Sequence, residues 1–246
     1  MKNFRKYYFF IILLSLILNG CVISDKQQKQ WLDSGSSILN DLNKKSLSEK
    51  DIAAGLKEAL SVGSERVVKQ VGRKNGYLND NFIHIALPAD LQKVHNTLNK
   101  LGLGRYTKEL EVKMNRAAEI AAPKAKKIFI RAIKDMRWQD VKAIYNGNND
   151  AATQYFKKKM TPTLKREMTP VIDQTLAEVG LVKSYNHTMK QYHSIPFVPK
   201  VDSDLTGYVL NKGINGMFYY LAEEEMAIRK DPAKRTTELL RRVFSK

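Results

Sequence analysis

The stretch SDLTGYVLNKGINGMFYYLAEEEMAIR, residues 203–229, decides the fold class. Leu210, Ile214, Met217, Phe218, Leu221 and Ile228 recur at helical spacing and fall on one side of the cylinder. Tyr219 and Tyr220 widen that side. So broad an apolar face needs cover from several neighbours, which predicts a central helix, starting at Asp202 or Ser203, in an all-α domain. Three carboxylates end it. By helical angle Glu224 and Glu225 flank the buried face, while Glu223 points away.

The flanks follow the same logic. Asp231-Pro232 reads as the start of a last helix, with Thr236, Leu239, Leu240, Val243 and Phe244 inward and Arg241 and Arg242 outward. Upstream, Ile195-Pro196-Phe197-Val198-Pro199 reads as an extended connector whose prolines fix the backbone so that Phe197 can dock. Further back, Ser48-Glu49-Lys50-Asp51 has the form of a helix start, and an apolar pattern runs from there to Asn75-Gly76. Tyr77 to Leu87 is irregular. Pro88 opens a helix ending at Leu101-Gly102, and Arg105 to Ala122 and Pro123 to Met136 form a pair. Trp138 to Tyr145 is a short helix closed by Asn146-Gly147. Asn149 or Asp150 caps the next, Thr161-Pro162 starts another with a kink or break at Pro170, and a further helix spans Leu181 to Tyr192. The expectation is an all-α, single globular domain of about eight to ten helices over residues 48–246.

Residues 1–20 form a different kind of segment. Lys2, Arg5 and Lys6 precede an apolar run from Tyr7 to Leu18, the n-region and h-region of an export signal. The run is too short to cross a bilayer of roughly 30 Å. It ends in Leu18-Asn19-Gly20-Cys21, which resembles the bacterial lipobox. That resemblance implies a diacylglycerol on the Cys21 thiol and removal of the preceding peptide. Residues 21–47 then form a lipidated N-terminus and tether, with one weak helical segment around Trp31 to Leu42. Val22 follows the cysteine where, by resemblance to enteric-type sorting, an Asp would favour inner-membrane retention, so the expectation is an outer-membrane lipoprotein facing the periplasm.

The chain carries 42 Lys and Arg against 25 Asp and Glu. Three of the basic residues lie in the leader, so the mature chain keeps 39 against 25, a net +14. Such a balance attracts polyanions. An exported chain meets anionic lipid, lipopolysaccharide, peptidoglycan or an envelope protein rather than nucleic acid. The basic stripe Lys124, Lys127, Arg131 and Lys134, opposite the apolar stripe Ala125, Ile128, Phe129, Ala132, Ile133 and Met136, is the candidate surface.

Six blocks together, DIAAGLKEALSVGSE (51–65), KLGLG (100–104), MNRAAEIAAP (114–123), DAATQYF (150–156), IPFVPK (195–200) and FYYLAEEE (218–225), resemble a bacterial envelope family, number 4197 in the domain-of-unknown-function series. The resemblance implies an exported, mainly helical single domain and brings no activity or catalytic residue with it.

No zinc-protease motif, nucleophile elbow or phosphate-binding glycine loop occurs. His84, His95, His187 and His193 are scattered, and no cofactor or metal is expected. Two polar groups stand above the background. Glu224 and Glu225 are either structural ion pairs or a general acid/base pair or cation site. Asp150, Thr153 and Tyr155 sit at a helix start, where capping competes with ligand binding. The expected function is a lipid-anchored envelope module that binds a protein or an anionic polymer. A carrier of a small amphiphile in a helical pocket and a hydrolase using Glu224 and Glu225 are the alternatives.

Overall fold

The structure, a computed structural model, describes residues 47–244. The leader, Cys21 and the tether helix expected over residues 31–42 lie outside the described residues. Within them the order is α1 (Glu49–Val71), α2 (Ala89–Lys100), α3 (Arg105–Ala121), α4 (Lys126–Lys134), α5 (Trp138–Tyr145), α6 (Ala151–Glu178), α7 (Leu181–His193), α8 (Leu205–Lys230) and α9 (Glu238–Val243). Single 3-10 turns span Ala122–Ala125 and Pro232–Lys234. The described residues are all-helical, with no strand.

The central helix is α8. It packs against α6, α1 and α3, and its solvent side narrows to a strip through Asn211, Asn215, Tyr219 and Glu223. Removing each of its large apolar side chains from water contributes about 1.5–3 kcal/mol. Two details differ from expectation. The cap is Asp204, whose Oδ1 accepts from Gly207 N at 2.8 Å, because the chain before it remains extended. Tyr219 lies on the solvent strip, where its ring stacks on Phe82 at 5.3 Å instead of widening the core face.

The largest correction is α6. Thr161-Pro162 does not start a helix and Pro170 does not break one, since a single helix runs through both. The prolines leave the carbonyls of Lys158 and Arg166 without their helical donors. All four residues are exposed, so water meets those carbonyls, while Met160, Leu164, Met168 and Ile172 form the buried row on the other side. Thr161 and Thr169 donate through Oγ1 to Lys157 O and Lys165 O at 2.6 and 2.7 Å.

Two further expectations fail. Phe197 does not dock: it is fully exposed with φ +64°, and Ile195 and Val198 pack on the core instead. The last helix does not begin at Asp231-Pro232, where only a 3-10 turn forms; α9 is capped by Thr237, and Thr236 is exposed. Between the two, buried Arg235 donates to Ile228 O and Arg229 O at 3.1 and 2.9 Å and so satisfies carbonyls at the end of α8.

The irregular segment between α1 and α2 would leave its backbone polar groups stranded without partners. Three residues of α3 at steps of four supply them. Glu119 accepts from Tyr77 N and Leu78 N at 3.1 and 3.0 Å. Asn115 accepts from Ile85 N at 2.9 Å and donates to Ile85 O at 2.8 Å, as a neighbouring strand would. Glu111 accepts from Leu87 N at 3.2 Å and lies 3.0 Å from His84 Nε2. Asp80 accepts from Phe82 N, Ile83 N and the Tyr220 hydroxyl. Burial, and then that bond to Asp80, pushes the Tyr220 phenol up to about 12.

Tyr77 completes the closure by donating to Gly213 O at 2.7 Å. A Cβ at Gly216 would meet its ring at 2.8 Å. Gly216→Ala therefore destabilises the domain by about 1–3 kcal/mol. Asn215→Ala, on the solvent strip, stays within about 0.5 kcal/mol. Thermal unfolding of the two variants reads the contrast.

Candidate functional site

The first turn of a helix has N–H groups with no partner inside the helix. At α6 they are answered from another element. Glu225, buried on α8, accepts from Ala152 N through Oε1 at 3.0 Å and from Thr153 N through Oε2 at 2.9 Å. Thr153 Oγ1 adds a donor at 3.0 Å. Arg229 closes the site with Nη2 3.0 Å from Glu225 Oε1 and 2.8 Å from Ile144 O. Glu225 thus takes the capping role expected of Asn149 or Asp150. Asp150 holds the cap position but makes no side-chain bond to the helix backbone, and its carboxylate accepts from Gln154 Nε2 at 2.9 Å.

Two of the polar groups read separately in the sequence, Thr153 and Glu225, are therefore one arrangement. Glu224 pairs instead with Arg66 Nη1 at 2.6 Å. Both carboxylates are matched by arginine, and the cavity beside Glu225 is about 20 Å³, walled by Leu56, Leu60, Leu221 and Ile228. A second core cavity, beside Tyr77, is about 10 Å³. A water needs about 10–15 Å³. Neither cavity has room for a substrate at the carboxylates or for an acyl chain.

The basic stripe is where the spacing placed it. Lys124, Lys127, Arg131 and Lys134 are exposed, while Ile128, Phe129 and Ile133 are buried on the other side of α4. Ala132 is only half-buried. Arg131 donates to Glu167 at 2.5 Å. Arg131, Asp135, Tyr155 and Lys159 line an open groove of about 200 Å³ between α4 and α6, so two more of the candidates meet. Burial, then the neighbouring Asp140 carboxylate, raises the Tyr155 phenol. Helix α6 adds Lys157, Lys158, Lys159, Lys165 and Arg166, all exposed. Across residues 124–134 and 157–167 stand ten basic side chains and one acid, Glu167. The expected helix boundary at Thr161-Pro162 hid this, because it assigned the lysine run to the end of a separate short helix.

A family model described as "Protein of unknown function (DUF4197)" matches residues 46–245. The chain belongs to this family. No curated protein matches it, and no solved structure does. In this DUF4197 domain the blocks DAATQYF and FYYLAEEE meet through Thr153 and Glu225, and MNRAAEIAAP supplies the Asn115 and Glu119 that hold the irregular segment.

A second polar face of the DUF4197 domain was not visible in the sequence. Tyr106, Glu109 and Lys113 of α3 and Lys183, Ser184, His187 and Lys190 of α7 line an open cleft of about 510 Å³. Lys113 Nζ donates to Gly180 O, Ser184 Oγ and Glu109 Oε1 at 3.2, 2.6 and 3.0 Å. All three ammonium donors are used within the network. Ser184 Oγ donates to Glu109 at 2.7 Å. The bonds from Ser184 and Lys113 hold the Glu109 carboxyl below its ordinary range. The network fastens α3 to α7. Among the described residues, no cluster of three His, Cys, Asp or Glu is placed to hold a metal ion.

Removing Glu225 strands Arg229, whose side chain is 12% exposed. Glu225→Ala lowers stability by about 3–5 kcal/mol. Thr153→Ala costs about 0.5–1.5 kcal/mol. Urea unfolding of both variants checks the order, and equal small losses would remove the capping role.

Proposed function

We propose that this protein is a lipid-anchored module of the bacterial envelope that binds an anionic polymer or an acidic protein surface across α4 and α6. The observation that carries the reading is the ten-to-one excess of basic over acidic side chains on residues 124–134 and 157–167, nine of the ten exposed. Phosphates or carboxylates laid across such a face release their counterions, so binding weakens steeply as salt rises. The envelope address, facing the periplasm from the outer membrane, is supported by the export-signal pattern of residues 1–20 and by Leu18-Asn19-Gly20-Cys21, and it makes lipopolysaccharide, anionic lipid and peptidoglycan the polymers to test. Nucleic acid is not the expected partner. No catalytic role is assigned, since the carboxylates considered for one are engaged by Arg66 and Arg229.

Reversing Lys124, Lys127, Lys158 and Lys159 to Glu is expected to weaken retention on lipopolysaccharide or on purified sacculi at least tenfold and to flatten the salt dependence. The same number of reversals on other faces should leave both unchanged. Equal retention of all forms in a pull-down at 50 and 200 mM salt would sink the reading. The anchor has its own test. Cys21→Ser abolishes the acyl mass and the processing of the leader, and an unchanged mass and membrane fraction would refute it.

A further inference from the structure

Phe197 stands in water by construction. Pro196 and Pro199 restrict the chain around it, Ile195 and Val198 pack on the core on either side, and the Tyr185 hydroxyl reaches Val201 O at 3.5 Å behind the loop. Held between these fixings, a fully exposed aromatic keeps φ at +64°, a region that bulky L side chains rarely occupy.

The surface leading to Phe197 has an unusual charge pattern. Residues 179–201 contain no acid. Lys183, His187 and Lys190 follow one another along one side of α7 and line the 510 Å³ cleft, and His193 and Lys200 are exposed beyond them. Val182, at the start of the helix, is 60% exposed. An exposed aromatic and aliphatic side chain beside lysines, on a segment with no carboxylate of its own and with Glu109 of α3 already engaged by Lys113 and Ser184, is the composition that a membrane interface selects. The ring enters the boundary of the acyl region while the ammonium groups meet headgroup phosphates.

We propose that α7 and the loop 195–199 dock on an anionic lipid bilayer, with Phe197 inserted and Lys183, Lys190 and Lys200 on lipid phosphates. This surface is separate from the α4–α6 face and does not depend on the polymer reading above. Charge complementarity selects a bilayer over a protein groove, because a groove for one aromatic side chain gives no reason for 23 residues without an acid.

The test uses the full chain with Cys21→Ser and Phe197→Cys, so that residue 197 holds its one cysteine. That cysteine carries a polarity-sensitive nitrobenzoxadiazole label. On vesicles of phosphatidylglycerol and phosphatidylethanolamine the label should shift to the blue, brighten severalfold and be quenched by lipid-borne nitroxides. Lys183→Glu, Lys190→Glu and Lys200→Glu together should cut the response at least fivefold, and vesicles of phosphatidylcholine should give little. A label at position 211, on the solvent strip of α8, should stay aqueous. An aqueous signal from position 197 on anionic vesicles that nonetheless sediment with the chain overturns the proposal. So does a response that the reversals at 183, 190 and 200 leave intact. Reversals on α4 and α6 should not alter the signal at 197, so the two readings fail separately.

Discussion

A carboxylate placed in an apolar helix contact has to be answered by donors, and Glu225 is answered from α6 and from its own helix. Its oxygens take the first free N–H groups of α6, the Thr153 hydroxyl and the Arg229 guanidinium, which in turn reaches a carbonyl at the end of α5. Apolar packing between α6 and α8 is non-directional and would tolerate sliding of one helix along the other. The Glu225 arrangement does not, because moving one turn takes the buried carboxylate off the Ala152 and Thr153 donors. It sets the register of the two longest helices.

The same division of labour recurs at the other end of the core. Val71, Ile85, Leu91, Leu98 and Leu110 are fully or almost fully buried and supply the burial. The path of the irregular chain between α1 and α2 is set by Glu111, Asn115 and Glu119, which stand in for a missing strand and a missing helix turn. Tyr77 then ties that chain to α8 by its bond to Gly213 O, where glycine at 216 leaves room for the ring. A small number of buried polar contacts gives the apolar core its specific arrangement. The outward faces of α4, α6 and α7 are left free to carry charge.

Much of this was legible in the chain. Apolar spacing located α1 to α5, α7 and α8 within a few residues, because those helices each bury one stripe and most of them end beside a Gly, Asn or Asp that stops a helix locally. Of the site, the exposed stripe on α4 was legible for the same reason. The merging of Thr153 with Glu225 was not, since the two are 72 residues apart and a cap supplied from another helix leaves no local pattern. Asp150 looked like the cap because local rules know only local donors and acceptors. Phe197 looked like a docked residue because an apolar side chain between two prolines usually is one.

The sequence by itself determined the class of the molecule: helices of these spacings and an excess of positive charge. These follow from periodicity and composition, which act within a few residues of chain. Tertiary structure alone decided that α6 is one helix, because only packing puts Pro162 and Pro170 on the wet side, where their unpaired carbonyls cost little. That single decision also brought the lysines of α6 beside those of α4. Contacts between distant residues fixed the cap at Glu225 and left Phe197 in water, because a residue's burial depends on what the rest of the chain places over it.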